Sequence, residues 1–368
     1  MKYYIIAGEA SGDLHGANLM RALQRLDTDA QFRFWGGDSM QDVAGTPVRH
    51  IRSLAIMGFV EVLIHLRTVL GNIRFCKKDI LQYQPDVVVT IDYPGFNLKI
   101  AKFAHQHGTK TVHYISPQLW AWKKGRIKSM RRNLDKLCYI LPFEQEFYAK
   151  NKFPQAVYVG HPLLDAVARF HGNATNTLNY GKPIIALLPG SRRQEINRVL
   201  PTMLNISDSH PEYQFVVAGM TLIGERFYLD IIGNRNNVTL INDQTYQLLS
   251  NAYAALVCSG TATLETALFN VPQVVCYRAN AISIAIARRL IGTRIKYISL
   301  VNLIADKPIV TELIQGDLSD TRLEQEFSYI TNIESRQKML DEYAYLYTLL
   351  GSAGASDCTA REIINLLT

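Results

Sequence analysis

Tyr3-Tyr4-Ile5-Ile6-Ala7-Gly8-Glu9-Ala10-Ser11-Gly12-Asp13, at the head of this 368-residue chain, is an apolar run that stops at a small-residue elbow and opens a helix. A matching stretch lies in the other half. There Ala254-Ala255-Leu256-Val257-Cys258 runs into Ser259-Gly260-Thr261-Ala262-Thr263, with Glu265 just inside the helix that follows. Small residues let a ligand approach the backbone, and a helix N-terminus offers free N–H groups and partial positive charge to an anion. In open parallel sheets, ligands sit at the carboxyl ends of the strands. Two such elbows therefore predict a molecule held between two domains, although glycine elbows also serve packing alone.

Short apolar runs alternate with helical periodicity along the whole chain. They fall at residues 3–7, 32–35, 87–91, 111–115, 137–141 and 157–159, then at 184–188, 215–218, 238–241, 254–258 and 273–277. Strands separated by helices indicate right-handed crossovers and parallel sheets. The expected fold is α/β, with two doubly wound Rossmann-like domains facing a cleft. The break falls near Gly160-His161-Pro162 and the polar stretch 172–182, giving domains of 1–165 and 166–350. Residues 321–350 read as continuous helix. A last helix, 351–368, resumes after Gly351-Ser352-Ala353-Gly354 with Ser356 or Asp357 as its cap. It either returns to the first domain or stays on its own.

Composition bounds the function. With 48% hydrophobic and 19% charged residues the chain is globular, with material for two cores. No stretch approaches the roughly 18 uncharged apolar residues of a membrane span. A strand starting at residue 2 leaves no room for a signal peptide, so a cytoplasmic location is expected. Five scattered cysteines without C-x-x-C spacing argue against disulfides and a zinc site. A net charge of +7 favours an acidic partner. Basic residues gather at 67–78 and 123–132, but no nucleic-acid module accompanies them, so nucleic acid is set aside.

Several residues can carry chemistry. Asp92 ends the run 87–91 before Tyr93-Pro94-Gly95-Phe96-Asn97, which aims it at the carboxyl edge of the first sheet. A partly desolvated carboxylate there can act as a general base, or it can merely hold the turn; Asn97 can cap the next helix. Pro189-Gly190-Ser191-Arg192-Arg193-Gln194-Glu195 is the corresponding exit in the second domain. Ser191 can cap that helix, whereas Arg192 stands where the dipole disfavours a cation. A phosphate contacted by both would explain it, and a solvated surface arginine competes. Glu265 stands where a carboxylate can accept two ribose hydroxyls, or it is an ordinary acidic residue in a first turn. Asn302 follows a strand-like segment, 299–303, as an uncharged donor for a phosphate or sugar hydroxyl.

The segment 56–83 is apolar almost all round. Phe59, Val62, Leu63, Leu66, Val69, Leu70 and Ile73 make one face, Val60 widens it, and Arg67, Arg74, Lys77 and Lys78 follow. Such a helix needs a second cover, lipid or protein, unless it is simply buried in the core. Trp120 and Trp122 beside Lys123 and Lys124 suit a membrane interface or ordinary packing. Asp27-Thr28-Asp29 matches a metal-binding pattern by letter but reads as a solvated turn, so no metal is expected.

Eight strings share their order with one family: Gly8-Glu9-Ala10-Ser11-Gly12-Asp13, Met57-Gly58-Phe59-Val60-Glu61-Val62-Leu63, Ile91-Asp92-x-Pro94-x-Phe96-Asn97, Ser116-Pro117-x-x-Trp120-Ala121-Trp122, Leu141-Pro142-Phe143-Glu144, Gly160-His161-Pro162, Leu188-Pro189-Gly190-Ser191-Arg192 and Ser259-Gly260-Thr261-Ala262-Thr263-Leu264-Glu265. In these the chain resembles the lipid-A-disaccharide synthases. The resemblance implies a GT-B glycosyltransferase fold and an inverting, metal-free transfer of 2,3-diacylglucosamine from UDP to the 6-hydroxyl of 2,3-diacylglucosamine 1-phosphate. It places the base on Asp92 and the UDP contacts on Arg192, Ser259, Gly260, Thr261, Ala262, Thr263 and Glu265, with Asn302 beside them. Glu9, Ser11 and Gly12 of the first elbow, with Met57 and Gly58, would form the acceptor loops. Phe59, Val60, Val62, Leu63, Leu66, Arg67, Trp120 and Trp122 would face acyl chains or the inner face of the cytoplasmic membrane. Val301, where the family commonly has proline, and Tyr93, where better-known relatives have a smaller residue, are departures. A soluble UDP-N-acetylglucosamine enzyme of the same fold, epimerase-like, and a non-catalytic nucleotide-sugar sensor are the alternatives.

Overall fold

The computed structural model describes residues 1–53, 66–121, 125–173, 177–279 and 296–368. Met57, Gly58, Phe59, Val60, Val62, Leu63 and Trp122 lie outside the described residues. The chain forms two compact units: Met1–Asp165 with Ser352–Thr368, and Ala166–Gly351.

In the first unit, β1 (Lys2–Ala7), β2 (Gln31–Gly36), β3 (Arg49–His50), β4 (Val87–Ile91), β5 (Lys110–Tyr114), β6 (Lys136–Tyr139) and β7 (Ala156–Tyr158) form one parallel sheet. Its order is β3-β2-β1-β4-β5-β6-β7, so the winding reverses between β1 and β4. The crossovers carry α1 (Ala10–Leu26), α2 (Asp38–Ala44), α3 (Leu66–Tyr83), α4 (Pro94–Gln106), α5 (Arg126–Asn133) and α6 (Glu144–Lys150). Helix α7 (Pro162–Asn173) leads into the second unit.

Side chains alternate across the pleat, and both faces are covered. Tyr3, Ile5, Val87, Val89 and Val112 pack under α1 with Ala17 and Leu23, while Tyr4, Ile6 and Val88 pack under α3 and α4 with Ile73, Ile80 and Ile100. One polar chain on the second face is internally paired. Trp35 donates its indole N–H to the Tyr4 hydroxyl at 2.8 Å, and that hydroxyl donates to Asp79 of α3 at 2.7 Å.

The second unit repeats the plan with β8 (Ile184–Leu188), β9 (Gln214–Gly219), β10 (Val238–Asn242), β11 (Ala252–Cys258), β12 (Gln273–Tyr277) and β13 (Thr311–Ile314). The order β10-β9-β8-β11-β12-β13 reverses between β8 and β11. Its helices are α8 (Arg193–Ser209), α9 (Glu225–Ile232), α10 (Thr245–Asn251), α11 (Thr261–Leu268), α12 (Leu300–Ala305), α13 (Asp320–Thr331) and α14 (Ile333–Leu350). The apolar runs read from the sequence are all strands. The edge strands β3 and β13 were too short or too polar to stand out as such runs.

Three local expectations change. The segment 299–303 is not strand-like but opens α12, because the Ser299 hydroxyl accepts from the Asn302 N–H and starts a helix. The helix expected over 321–350 is two helices. Asn332 leaves the helical conformation, and its side chain accepts from Glu334 and Ser335 N–H to start α14. The last helix, α15 (Ala355–Leu367), is capped by neither Ser356 nor Asp357. Asp165 caps it instead, accepting from the N–H groups of Gly354 at 2.5 Å, Ala355 at 3.2 Å and Ser356 at 2.8 Å.

Helix α15 belongs to the first unit. Ala360 and Ile363 join the core beside Tyr3, Ala17 and Tyr114, and Lys136 pairs with Glu362 at 2.7 Å. Asp165→Ala should strand three helix-end donors and cost about 2 kcal/mol. Urea unfolding of the full chain checks this, and an unchanged midpoint would show that the clamp adds nothing.

Candidate active site

Asp92 and Glu9 stand at the reversal point of the first sheet. Glu9 follows β1 as the N-cap of α1, and Asp92 follows β4. The backbone at Asp92 is left-handed, with φ 44°, and so is Tyr93, with φ 47°. Two successive non-glycine residues in that region are strained and need external holding. Asn97 supplies it. Its amide donates to the carbonyls of Ile91 at 3.0 Å and Asp92 at 2.7 Å, while the Asp92 N–H donates to the Tyr114 carbonyl at 2.9 Å. Asn97 thus pins the end of β4 and does not cap the next helix's amides.

The turn aims Tyr93 at the first elbow. A Cβ on Gly8 would lie 2.6 Å from the Tyr93 ring, so Gly8 is glycine because Tyr93 fills the space beside it. Gly12 is buried against Ala7, and Ser11 is exposed. Packing therefore accounts for Gly8, whereas a Cβ on Gly12 would meet Ala7 at an ordinary 3.4 Å. Asp13 accepts from the N–H groups of Gly37, Ser39 and Met40 at 2.6, 2.9 and 3.1 Å, which fixes the start of α2.

The Asp92 carboxyl is mostly enclosed yet still reached by solvent. Burial raises its pKa to about 6; the charge of Glu9 adds to the rise, and a hydrogen bond from the Tyr93 N–H opposes it. A carboxylate held in this range is basic enough to take a proton near neutral pH. His113, by contrast, is fully buried with Nδ1 2.7 Å from the Thr90 hydroxyl, and burial lowers its pKa to about 3. Glu144, after β6, is wholly buried, and burial pushes it up to about 8.

In the second unit the reversal point holds an open cavity of about 210 Å³. Its walls are the exits of β8 (Pro189, Gly190, Ser191) and β11 (Ser259, Gly260, Thr261, Ala262), with Met220, Thr245, Glu195 and Glu265 around them. A Cβ on Gly260 would meet nothing within 4 Å among the described residues, so this elbow, unlike the first, opens on free space there. The start of α11 faces the cavity and suits an anion.

Glu265 lines the cavity with one oxygen already engaged: Tyr246 donates its hydroxyl to Oε1 at 2.8 Å. Burial raises the Glu265 pKa, and the Tyr246 bond opposes that rise. Arg192, not Ser191, is the N-cap residue of α8, and its guanidinium reaches Glu195 at 3.0 Å. That partner answers the dipole mismatch and, among the described residues, leaves most of the guanidinium donors free.

Three residues expected at the nucleotide are not among those lining the cavity: Arg192, exposed at the N-cap of α8, and the inward-turned Thr263 and Asn302. Thr263 is fully buried, with its hydroxyl donating to the Gly260 carbonyl at 2.8 Å. Asn302 is 1% exposed and committed internally. Its amide donates to the Val310 carbonyl at 2.8 Å and to Glu312 at 2.9 Å, and its oxygen accepts from the Val310 N–H. Glu312 accepts from the Ile298 N–H at 2.9 Å, and the Ile298 carbonyl accepts from Ser259 at 3.1 Å. Asn302 therefore supports the elbow from behind. Glu195, Met220, Thr245 and Tyr246 were not assigned from the sequence. Only Glu195, three residues after Arg192, carried a local signal.

Of the surface residues, Trp120 packs edge-on against Phe143 at 5.1 Å, with its indole N–H buried and unpartnered among the described residues. Arg67 is exposed on α3, and Leu66 begins that helix. No helix among the described residues is long and apolar enough to cross a membrane.

Comparison with known proteins supplies the family. Residues 3–366 match the family described as lipid-A-disaccharide synthetase. The lipid-A-disaccharide synthase of Geobacter sulfurreducens is 34% identical over 99% of this chain and 96% of its own length. That of Chromohalobacter salexigens is 37% identical over 100% and 97%. Among solved structures, UDP-GlcNAc 2-epimerase from Neisseria meningitidis bound to UDP-GlcNAc aligns with TM-score 0.71 at 13% identity, covering 99% of this chain and 100% of its own. S. aureus MnaA with UDP aligns with TM-score 0.72 at 14% identity, covering 99% and 97%. These structures share the GT-B fold, and the sequence match over nearly the whole chain goes further: the chain belongs to the lipid-A-disaccharide synthase family of glycosyltransferases.

Proposed function

We propose that the protein transfers 2,3-diacylglucosamine from its UDP derivative to the 6-hydroxyl of 2,3-diacylglucosamine 1-phosphate, with inversion at the anomeric carbon. The observation that carries this reading is Asp92, a carboxyl on a pinned left-handed turn whose burial and neighbour Glu9 hold its pKa near 6. Asp92 takes the proton of the acceptor hydroxyl as its oxygen attacks. The bond from the anomeric carbon to the β-phosphate oxygen breaks on the opposite face, and its electron pair leaves with UDP. The diphosphate is held by the α11 N-terminus and Arg192, and the ribose by Glu265. Amides, the guanidinium and helix dipoles stabilise the leaving charge, so no metal is required.

The acyl chains and membrane surface are assigned to α3. Arg67, Leu70, Arg74, Lys78 and Leu81 are all exposed and recur at helical spacing, so cations and large apolar side chains share one stripe. Such a stripe suits an anionic lipid surface at the inner face of the cytoplasmic membrane. The protein is expected to float with phosphatidylglycerol-rich vesicles and to be released by salt. Equal flotation with neutral vesicles in high salt would sink the electrostatic part of this assignment.

Mass spectrometry of products from the two acylated sugars tests the reaction itself. The disaccharide 1-phosphate and UDP are expected, with rates unchanged by EDTA. Turnover of unacylated UDP-N-acetylglucosamine alone would overturn the assignment in favour of an epimerase. Asp92→Asn, which tolerates the left-handed backbone, should lower turnover by about 10²–10⁴-fold while UDP still binds.

The raised pKa also sets a stability sign. A carboxyl with a folded pKa near 6 and an unfolded value near 3.8 stabilises the fold while protonated, and that contribution is lost as pH rises through 6. Asp92→Asn should therefore unfold at a higher temperature than the native chain at pH 8.

The same pKa governs rate. Since the base must be ionised, kcat/KM should fall as pH drops through about 6. Removing the neighbouring charge with Glu9→Gln should move that limb to lower pH. A limb that stays put would show that Glu9 does not act on Asp92.

A further inference from the structure

Glu265 has two carboxylate oxygens, and among the described residues only one is committed: Oε1 accepts the Tyr246 hydroxyl at 2.8 Å. A phenol has a single O–H, so this bond uses Tyr246's entire donating capacity. The Tyr246 ring is fixed in turn. It meets Phe170 edge-on at 5.8 Å and 88°, and Phe269 at 5.2 Å. Phe170 and Phe269 also touch each other at 5.6 Å, so the phenol stands in a three-ring cluster drawn from α7, α10 and the end of α11. A rigid donor thus grips one oxygen of a flexible glutamate that lines the cavity.

Two consequences follow from the geometry. The grip restrains the carboxylate at the cavity wall and leaves Oε2 as the oxygen able to accept from a molecule that enters. It also favours the ionised form against the burial that raises the Glu265 pKa. Both are conditions for accepting hydrogen bonds from a diol. We infer that Tyr246 is a positioning residue that makes Glu265 selective for ligands carrying vicinal hydroxyls, the ribose of a nucleoside diphosphate among them. The inference rests on the proposed nucleotide reading of this cavity and adds a residue to it.

Calorimetric titration of the full chain with UDP and with 2′,3′-dideoxy-UDP tests it. The native chain should prefer UDP. Tyr246→Phe keeps all three rings in place, so the fold should survive, as its thermal unfolding curve can verify. In that variant UDP should bind about tenfold more weakly while dideoxy-UDP changes little, so the preference collapses. Glu265→Gln should collapse the preference too, and the double variant should lose no more than either single one. Arg192→Ala should instead weaken both ligands alike, because it acts on the phosphates they share.

The outcomes separate the two layers of the argument. If the native chain and Glu265→Gln show the preference and its loss but Tyr246→Phe retains it, Tyr246 has no positioning role. If the native chain binds both ligands equally, the ribose assignment of Glu265 falls and takes the Tyr246 inference with it. An equal weakening of UDP and dideoxy-UDP in Tyr246→Phe would mark the tyrosine as structural packing and nothing more.

Discussion

Two neighbouring parallel strands that hand the chain off in opposite directions leave the space beyond their carboxyl ends uncovered. Each sheet has one such place, β1/β4 in the first unit and β8/β11 in the second, and the candidate chemistry gathers at both. The exits differ in character because the side chains filling them differ. At β1/β4 a tyrosine closes over the glycine elbow and leaves two carboxylates at the edge. At β8/β11 Glu195 stands beside Gly190, but among the described residues nothing fills the space at Gly260, and a helix N-terminus faces an open cavity. One topology thus yields an acidic, basicity-tuned site and an anion-receiving one.

Holding these sites costs local strain and polar burial. The consecutive left-handed residues Asp92 and Tyr93 persist because Asn97 takes both strand-end carbonyls that the turn abandons. The second unit uses a longer relay, from Asn302 through Glu312 and Ile298 to the Ser259 hydroxyl. In both units the residues that touch no ligand are those that fix the backbone on which the exposed groups ride.

Much of this was legible in the sequence. Parallel strands buried on both faces read as continuous apolar runs, so the strands and both elbows could be located, and Asp92 and Glu265 could be singled out from their places beside them. What escaped depends on distance along the chain. Asp165 caps a helix that begins 190 residues later, and nothing local to Ser356 or Asp357 reveals it. Tyr246 reaches Glu265 across 19 residues and the intervening strand β11. Asn302 misled because a polar residue near a motif looks the same in sequence whether its amide faces a ligand or is spent on Val310 and Glu312. Gly8 misled similarly, since an elbow glycine leaves room equally for a ligand or for a neighbouring ring.

The return of α15 to the first unit bears on how the protein is made. Vectorial synthesis delivers β1 to β7 early, but Ala360 and Ile363, which close the core beside Tyr3 and Tyr114, emerge only after the whole of Ala166–Gly351. A nascent first unit therefore waits with an apolar strip of its sheet open while the second unit folds. The carboxyl-terminal helix is thus the last piece of that core to arrive, after every strand it packs against has been made.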